Sequence, residues 1–205
     1  MVVSDELISY CTPDENDIGI LAKMLSDTFD GPFNSTIMGK LKRQYSEWDA
    51  NSKLKNRFYS LLNANAYDFR KQPHGMIVAR DNDNKPVGFV EVGMVTSSSK
   101  LSKRLEEMNI TSKSIPHIGN LVVADVHRRK GIARTLMTQV LAVASSWDID
   151  APCVLCAVEP GNTAARNLYT KMGFDFVLLE EKSMLEGDEL TKDRVVLKID
   201  RQRFC

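Results

Sequence analysis

The strongest constraint on the fold of this 205-residue chain is a strand-like run followed by a basic turn and a helix. The run is Leu121-Val122-Val123 and the turn is Arg128-Arg129-Lys130-Gly131; from Ile132 onward Leu136, Val140, Val143 and Trp147 keep helical spacing. Ile132 to Trp147 therefore reads as an amphipathic helix that must pack its apolar face on a sheet. A strand feeding such a helix through a short connection is the building unit of a sheet covered by helices. The arrangement also sets the first amides of the helix, which have no intrahelical acceptor, beside Arg128, Arg129, Lys130 and Arg134.

The remaining segments fit the same architecture. Glu6 to Cys11 reads as a short strand, and Pro13-Asp14-Glu15-Asn16 as the start of a helix carrying Ile18, Leu21, Leu25 and Phe29. After Gly31-Pro32, the stretch Ser35 to Lys71 resumes helical spacing with Leu41, Tyr45, Trp48, Leu54, Phe58 and Leu61. Met76 to Arg80 and Val87 to Val92 are β-rich runs joined by Asp81-Asn82-Asp83-Asn84-Lys85, which predicts an antiparallel hairpin. The polar stretch 97–115, with a short helical patch, reads as a surface loop or lid. Ile118 to Val123, Cys153 to Val158, Phe174 to Leu179 and Arg194 to Ile199 are strands, and Thr163 to Met172 is a helix. The expected fold is α/β, of the α+β mixed-sheet kind: six to seven strands flanked by about four helices in a single domain over 1–205.

Composition narrows the function by exclusion. Lys plus Arg and Asp plus Glu each total 27, so no global field draws the protein to nucleic acid or an anionic membrane, and neither is expected as a partner. No apolar run approaches the roughly 20 residues a spanning helix needs. Met1 to Glu6 has neither a signal core nor an Arg-rich transit character, so a soluble intracellular protein is expected, in the cytoplasm or, if a transit peptide has been trimmed, the plastid stroma. Cys11, Cys153, Cys156 and Cys205 are too few and scattered for a disulfide framework. Cys153 and Cys156 form a CxxC inside an apolar run with no second ligand pair, which reads as a buried strand; no metal is expected.

The basic turn has two readings. One is a solvated helix start that happens to contain a glycine. The other is an anion site, in which a pyrophosphate accepts hydrogen bonds from the first-turn amides at the positive end of the helix dipole. The small residues Gly131 and Ala133 let a phosphate reach the backbone. The turn is neither a Walker loop, since Lys and Ser/Thr do not follow Gly131, nor a GxGxxG dinucleotide fingerprint.

Leu121-Val122-Val123 followed by Arg128-x-x-Gly131-x-Ala133 resembles motif A of the GNAT superfamily of N-acetyltransferases. Asn162-Thr163-Ala164-Ala165-Arg166-Asn167-Leu168-Tyr169, closing with Lys171-Met172-Gly173-Phe174, is similar to motif B of the same superfamily at the usual separation. The resemblance covers Met76 to Leu179. Within the superfamily, Ile118 to Val123, Ser146-Trp147 and Val158-Glu159 look most like plastid and cyanobacterial-type members that acetylate protein N-termini and lysines.

The resemblance implies that acetyl-CoA is the co-substrate, bound by Leu121, Val122, Val123, Arg128, Arg129, Lys130, Gly131, Ile132, Ala133, Arg134, Asn162, Ala165 and Tyr169. It implies that the Leu121–Val123 strand splays from Cys153–Val158, so that the pantetheine arm pairs with exposed backbone, and that the Leu121 and Val122 amides stabilise the oxyanion. Tyr169, otherwise a half-buried core aromatic, is implied to protonate the departing thiolate.

An acceptor amine must lose a proton before it attacks, and the residues leave the base open. His117 opens the central strand where serotonin-type members carry a catalytic His, Glu91 lies on the hairpin, and Glu159 ends a strand. Ribosomal-protein acetyltransferases keep a carboxylate where this chain has Ala157. His74 and His127 read as surface residues. The expected acceptor is a protein or peptide amine, with a small-molecule amine or a non-catalytic acyl-CoA-binding module as alternatives.

Overall fold

The structure is a computed structural model that describes residues 7–29, 37–62, 73–95, 99–110, 112, 115–147, 150–180 and 193–204. Its strands are β1 Ser9–Cys11, β2 His74–Arg80, β3 Pro86–Val95, β4 Ile115–Val123, β5 Cys153–Val158, β6 Asp175–Glu180 and β7 Arg194–Asp200. The helices are α1 Asp17–Phe29, α2 Ile37–Leu62, α3 Ser99–Glu107, α4 Ile132–Ser146 and α5 Thr163–Lys171. Hydrogen-bonded neighbours in the sheet run β1-β2-β3-β4-β5-β7-β6. β1 and β2 are antiparallel, as are β5 with β7 and β6 with β7, whereas β4 and β5 are parallel. This is the mixed α/β sheet expected. The chain divides into two compact units: Met1–Glu91 with Asn120–Val140, and Val92–Gly119 with Leu141–Cys205.

In the first unit the sequence pattern of α1 explains its packing. Ile18, Leu21 and Leu25 lie three and four apart and meet Leu54 and Phe58 of α2, Met76 and Val78 of β2, Phe89 of β3 and Val122 of β4 in one buried cluster. The start of α1 is a reciprocal cap: the Asp14 amide donates to Asp17 Oδ2 at 2.6 Å, and the Asp17 amide donates to the Asp14 carbonyl at 3.1 Å. Leu54 and Phe58 of the 26-residue α2 are buried, but Leu41, Tyr45 and Trp48, which share the helical spacing, stand outward.

The β2–β3 hairpin follows its connector chemistry. Asp81 Oδ1 accepts from the Asp83 and Lys85 amides at 3.1 and 2.9 Å, and Asn84 takes the left-handed conformation at φ 62°. On β3, Gly88 faces α4 so closely that a Cβ there would lie 3.1 Å from Leu136, 3.2 Å from Ile132 and 3.3 Å from the Val122 carbonyl. The missing side chain is what lets the first half of α4 sit directly on the hairpin.

The second unit corrects the reading of 97–115 as a surface loop or lid. Ser99–Glu107 is a helix, and β4 already begins at Ile115. Leu101, Leu105, Ile110 and Ile115 are buried with Cys153, Leu155, Val177 and Val196. Leu101 and Leu105 are spaced by four, so α3 presents one apolar stripe beneath a basic and acidic exterior. The Arg201 guanidinium donates to the carbonyls of Ser145 and Trp147 at 2.7 and 2.9 Å and so closes the end of α4. No helix among the described residues is long and apolar enough to cross a membrane.

Candidate active site

β4 carries the first element of the site. It pairs with β5 at His117↔Leu155 and Ile118↔Cys156, a two-pair ladder from strands of nine and six residues. The next positions are Gly119 and Asn120, and Asn120 takes φ 53°, a left-handed torsion inside a strand. A left-handed residue of this kind interrupts the regular pleat of a strand locally. Leu121 is half-buried, and Val122 and Val123 are buried.

Beyond Val123 a short 3-10 turn, Asp125–His127, leads into the basic segment. Arg129 has φ 65° and Gly131 φ 84°, so two left-handed residues flank Lys130. Left-handed residues in a tight turn gather successive amides into an anion-binding concavity. The Gly131 carbonyl accepts from the Thr135 amide at 3.1 Å, so Gly131 caps α4 and the Ile132, Ala133 and Arg134 amides are its first-turn donors. A Cβ on Gly131 would meet nothing within 4 Å, so the backbone is approachable there. These features fit a pyrophosphate.

The basic side chains divide in use. Arg128 Nε donates to the Val123 carbonyl at 3.0 Å and Nη2 lies 2.7 Å from Asp125 Oδ1, so Arg128 ties the turn to the end of β4. Arg129, Lys130 and Arg134 are exposed.

Within the second unit, α5 carries Asn162, Ala165 and Tyr169. Asn162 is the cap, its Oδ1 accepting from the Ala165 amide at 3.1 Å. Tyr169 is buried, its ring centroid 5.5 Å from that of Phe174. Burial, with a smaller contribution from Cys156, pushes the Tyr169 hydroxyl well above the ordinary phenol range, so it stays protonated at neutral pH. His117 is half-buried on β4, and Glu159 is exposed beyond the end of β5. Cys153 and Cys156 are free thiols buried in β5, as the CxxC in an apolar run predicts; burial pushes Cys153 up to about 11 and raises Cys156 likewise.

Glu91 lies at the centre of a cluster in the first unit that sequence reasoning did not assemble. Its side chain is 7% exposed, and Oε1 accepts from both Arg57 Nη1 and Asn120 Nδ2. Oε2 lies 3.1 Å from Nε2 of His74, which is turned inward to Glu91 and is not the surface residue expected. Burial raises the Glu91 carboxyl, but the His74 hydrogen bond, the Arg57 and His74 charges and the Asn120 amide outweigh it and hold the group below the ordinary carboxylate range. A hint was available: His74 begins β2 and Glu91 nears the end of β3, so one hairpin brings them to the same end. Arg57, on a helix far away in sequence, gave no such hint.

Arg57 and Asn120 also line a cavity of about 420 Å³, together with Leu25 and Phe29 of α1 and Ala50 and Lys53 of α2.

Comparison with known proteins agrees with this geometry. A sequence model of the Acetyltransferase (GNAT) family matches residues 38–174. The catalytic subunit NAA10 of the N-terminal acetyltransferase A complex of Arabidopsis thaliana is 32% identical over 133 residues, which span 64% of this chain and 62% of that protein. The chain thus spans under two thirds of that relative's length. Among solved structures, Arabidopsis thaliana NAA60 in complex with a bisubstrate analogue superposes with a TM-score of 0.61 at 17% identity, covering 95% of this chain and 98% of that one. Spermidine N-acetyltransferase from Vibrio cholerae in complex with CoA and spermine gives 0.59 at 15% identity, covering 96% and 97%. Both likenesses are of fold. With the family match extending over most of the chain, residues 38–174, the protein belongs to the acetyltransferase (GNAT) family.

Proposed function

We propose that the chain transfers an acetyl group from acetyl-CoA to a protein amine, an N-terminal α-amine or a lysine, by direct attack without a covalent enzyme intermediate. The observation that carries the reading is the turn from Arg128 to Ala133, where left-handed Arg129 and Gly131 precede the open N-terminus of α4. Acetyl-CoA supplies the activated acyl group. The Ile132, Ala133 and Arg134 amides hold the pyrophosphate, with Arg129, Lys130 and Arg134 adding charge. The Leu121 and Val122 amides steady negative charge on the carbonyl oxygen, Asn162 and Ala165 hold the cofactor along α5, and Tyr169 carries the proton for the departing thiolate.

Support for a protein acceptor comes from the NAA10 relative, whose name describes N-terminal acetylation. The likeness of Ile118 to Val123, Ser146-Trp147 and Val158-Glu159 to plastid and cyanobacterial-type members supports placing the chain among them, in the plastid stroma or the cytoplasm. The free thiols Cys11, Cys153 and Cys156 suit such a reducing compartment. The test is to incubate the protein with acetyl-CoA and a panel of peptides, lysine-bearing proteins and small amines, and to identify products by mass. Acetylated peptides support the reading. Acetylated polyamines alone replace it with the small-molecule alternative, and acetyl-CoA binding without any product replaces it with a binding module.

A further inference from the structure

The Glu91 cluster has the chemistry of a clamp. An ionised carboxylate only accepts hydrogen bonds, so with Glu91 Oε1 facing the Asn120 amide, the Asn120 NH₂ must point to Glu91. The other end of that amide is the acceptor Oδ1, and no described residue donates to it. The backbone of Asn120 is fixed as well, at φ 53°, a torsion that Asn adopts more readily than other side-chain-bearing residues. Asn120 lines the cavity between α1 and α2, next in sequence to the Leu121 amide.

The same cavity is poor in bare negative charge. Its lining holds Asp49, which is 2.8 Å from Lys53, and Arg57, which is paired with the buried Glu91. Nothing in that lining matches the repeated ammonium groups of a polycation.

We propose that Asn120 Oδ1 is the binding group for the acceptor amine and that Glu91 is the positioning residue that holds Asn120 in place for it. This rests on the acetyltransferase reading above. One N–H of the neutral amine donates to Oδ1, which leaves the nitrogen lone pair for the acyl carbon. As the C–N bond forms and the C–S bond breaks, the thiolate takes the Tyr169 proton and the nitrogen releases one proton to water, from which Tyr169 is reprotonated; no bond to Asn120 forms or breaks. A neutral amide oxygen stabilises the ammonium form of the acceptor less than a carboxylate in its place would. That choice favours amines that are already largely neutral. A peptide α-amine has a pKa of about 7.7–8.0, whereas a lysine-type amine at about 10.4 is neutral in only about one molecule in a thousand near pH 7.4. The acceptor class is therefore the peptide α-amine, with Leu25 and Phe29 offering apolar wall to the side chain that follows it.

Asn120→Gly tests this without straining the backbone, because glycine adopts φ near 53° readily. Three quantities are compared with the parent chain: steady-state acetylation of a peptide with a free α-amine and of an N-terminally blocked lysine peptide, acetyl-CoA affinity by calorimetry, and affinity for the unacetylated peptide by fluorescence polarisation. The expected result is an acceptor KM and peptide Kd raised about five- to tenfold, the loss of one hydrogen bond, with acetyl-CoA affinity within about twofold. The parent chain should prefer the free α-amine. Glu91→Gln should raise acceptor KM in the same direction while the acid limb of the pH–rate profile stays where it is.

Unchanged peptide Kd and KM in Asn120→Gly overturn the role of Asn120. Loss of the acid limb in Glu91→Gln would make Glu91 the proton acceptor and overturn the positioning role. Equal or better turnover of the lysine peptide overturns the α-amine assignment. If the parent chain binds the peptide through Asn120 yet transfers no acetyl group, the acetyltransferase reading fails while the binding site stands.

Discussion

Arg80 Nη2 donates to Asp17 Oδ2 at 2.6 Å, with only 8% and 3% of the two side chains exposed. This pair fastens the first turn of α1 to β2 inside the first unit. Removing one partner of a buried ion pair strands the other charge, which costs more than the pair contributes. Asp17→Asn should lower unfolding stability by about 3 kcal/mol, read from urea denaturation. A loss below about 0.5 kcal/mol would mean that Asp14, 3.3 Å from Arg80, and the Asn84 carbonyl, 3.0 Å away, suffice by themselves.

Gly88→Ala puts a methyl group 3.1–3.2 Å from Leu136 and Ile132 and 3.3 Å from a backbone carbonyl. The Val122 carbonyl is backbone, so Leu136, Ile132 and the strand must together give by a few tenths of an ångström. A loss of about 1–3 kcal/mol is expected. Because α4 begins at the proposed phosphate turn, acetyl-CoA affinity should fall too. A fully stable variant with native affinity would show that α4 tolerates displacement.

Tyr169→Phe keeps the buried ring against Phe174 and removes only the hydroxyl. Acetyl transfer should slow by about 100-fold, in the range general-acid catalysis supplies, while acetyl-CoA affinity and melting temperature change little. Equal turnover would take Tyr169 out of the proton path.

Glu91 gives the acid side of the stability curve a definite sign. Its carboxyl is held below the ordinary range in the folded chain, so its contribution is fully present above the unfolded-state value and is lost as pH falls through the folded value. The stability difference between the parent chain and Glu91→Gln should therefore be largest near neutrality and shrink on acidification below about pH 4. A constant difference across that range would show that the cluster does not hold Glu91 ionised.

The raised thiols of Cys153 and Cys156 leave little thiolate at pH 8. Native alkylation with iodoacetamide, followed by peptide mapping, should label exposed Cys11 well before the peptide that spans both buried thiols. Early labelling of that peptide would argue for an opened β5.

The sheet, α4 and the turn that opens it were legible in the sequence because each depends on contiguous residues: alternation in the hairpin, helical spacing from Ile132, a glycine before it. The 97–115 segment misled for the opposite reason. Its buried residues are few and spaced among lysines and glutamates, so the polar surface of α3 dominates the text while Leu101 and Leu105 do the packing. Glu91 could be singled out as a carboxylate on a hairpin strand, but its use depends on Arg57, His74 and Asn120, which only folding brings together. The outward Leu41, Tyr45 and Trp48 show the same limit, since helical spacing alone does not say how much of a long helix meets a core.

Arg129 sits at φ 65°, where a residue with a Cβ is strained and a glycine is not. Its conformation and its proposed use of charge pull in opposite directions. Arg129→Gly should make the chain harder to unfold, by about 1 kcal/mol, while weakening its hold on a polyanion. The charge that the proposed phosphate site draws on is thus one that a stability screen would score as a defect.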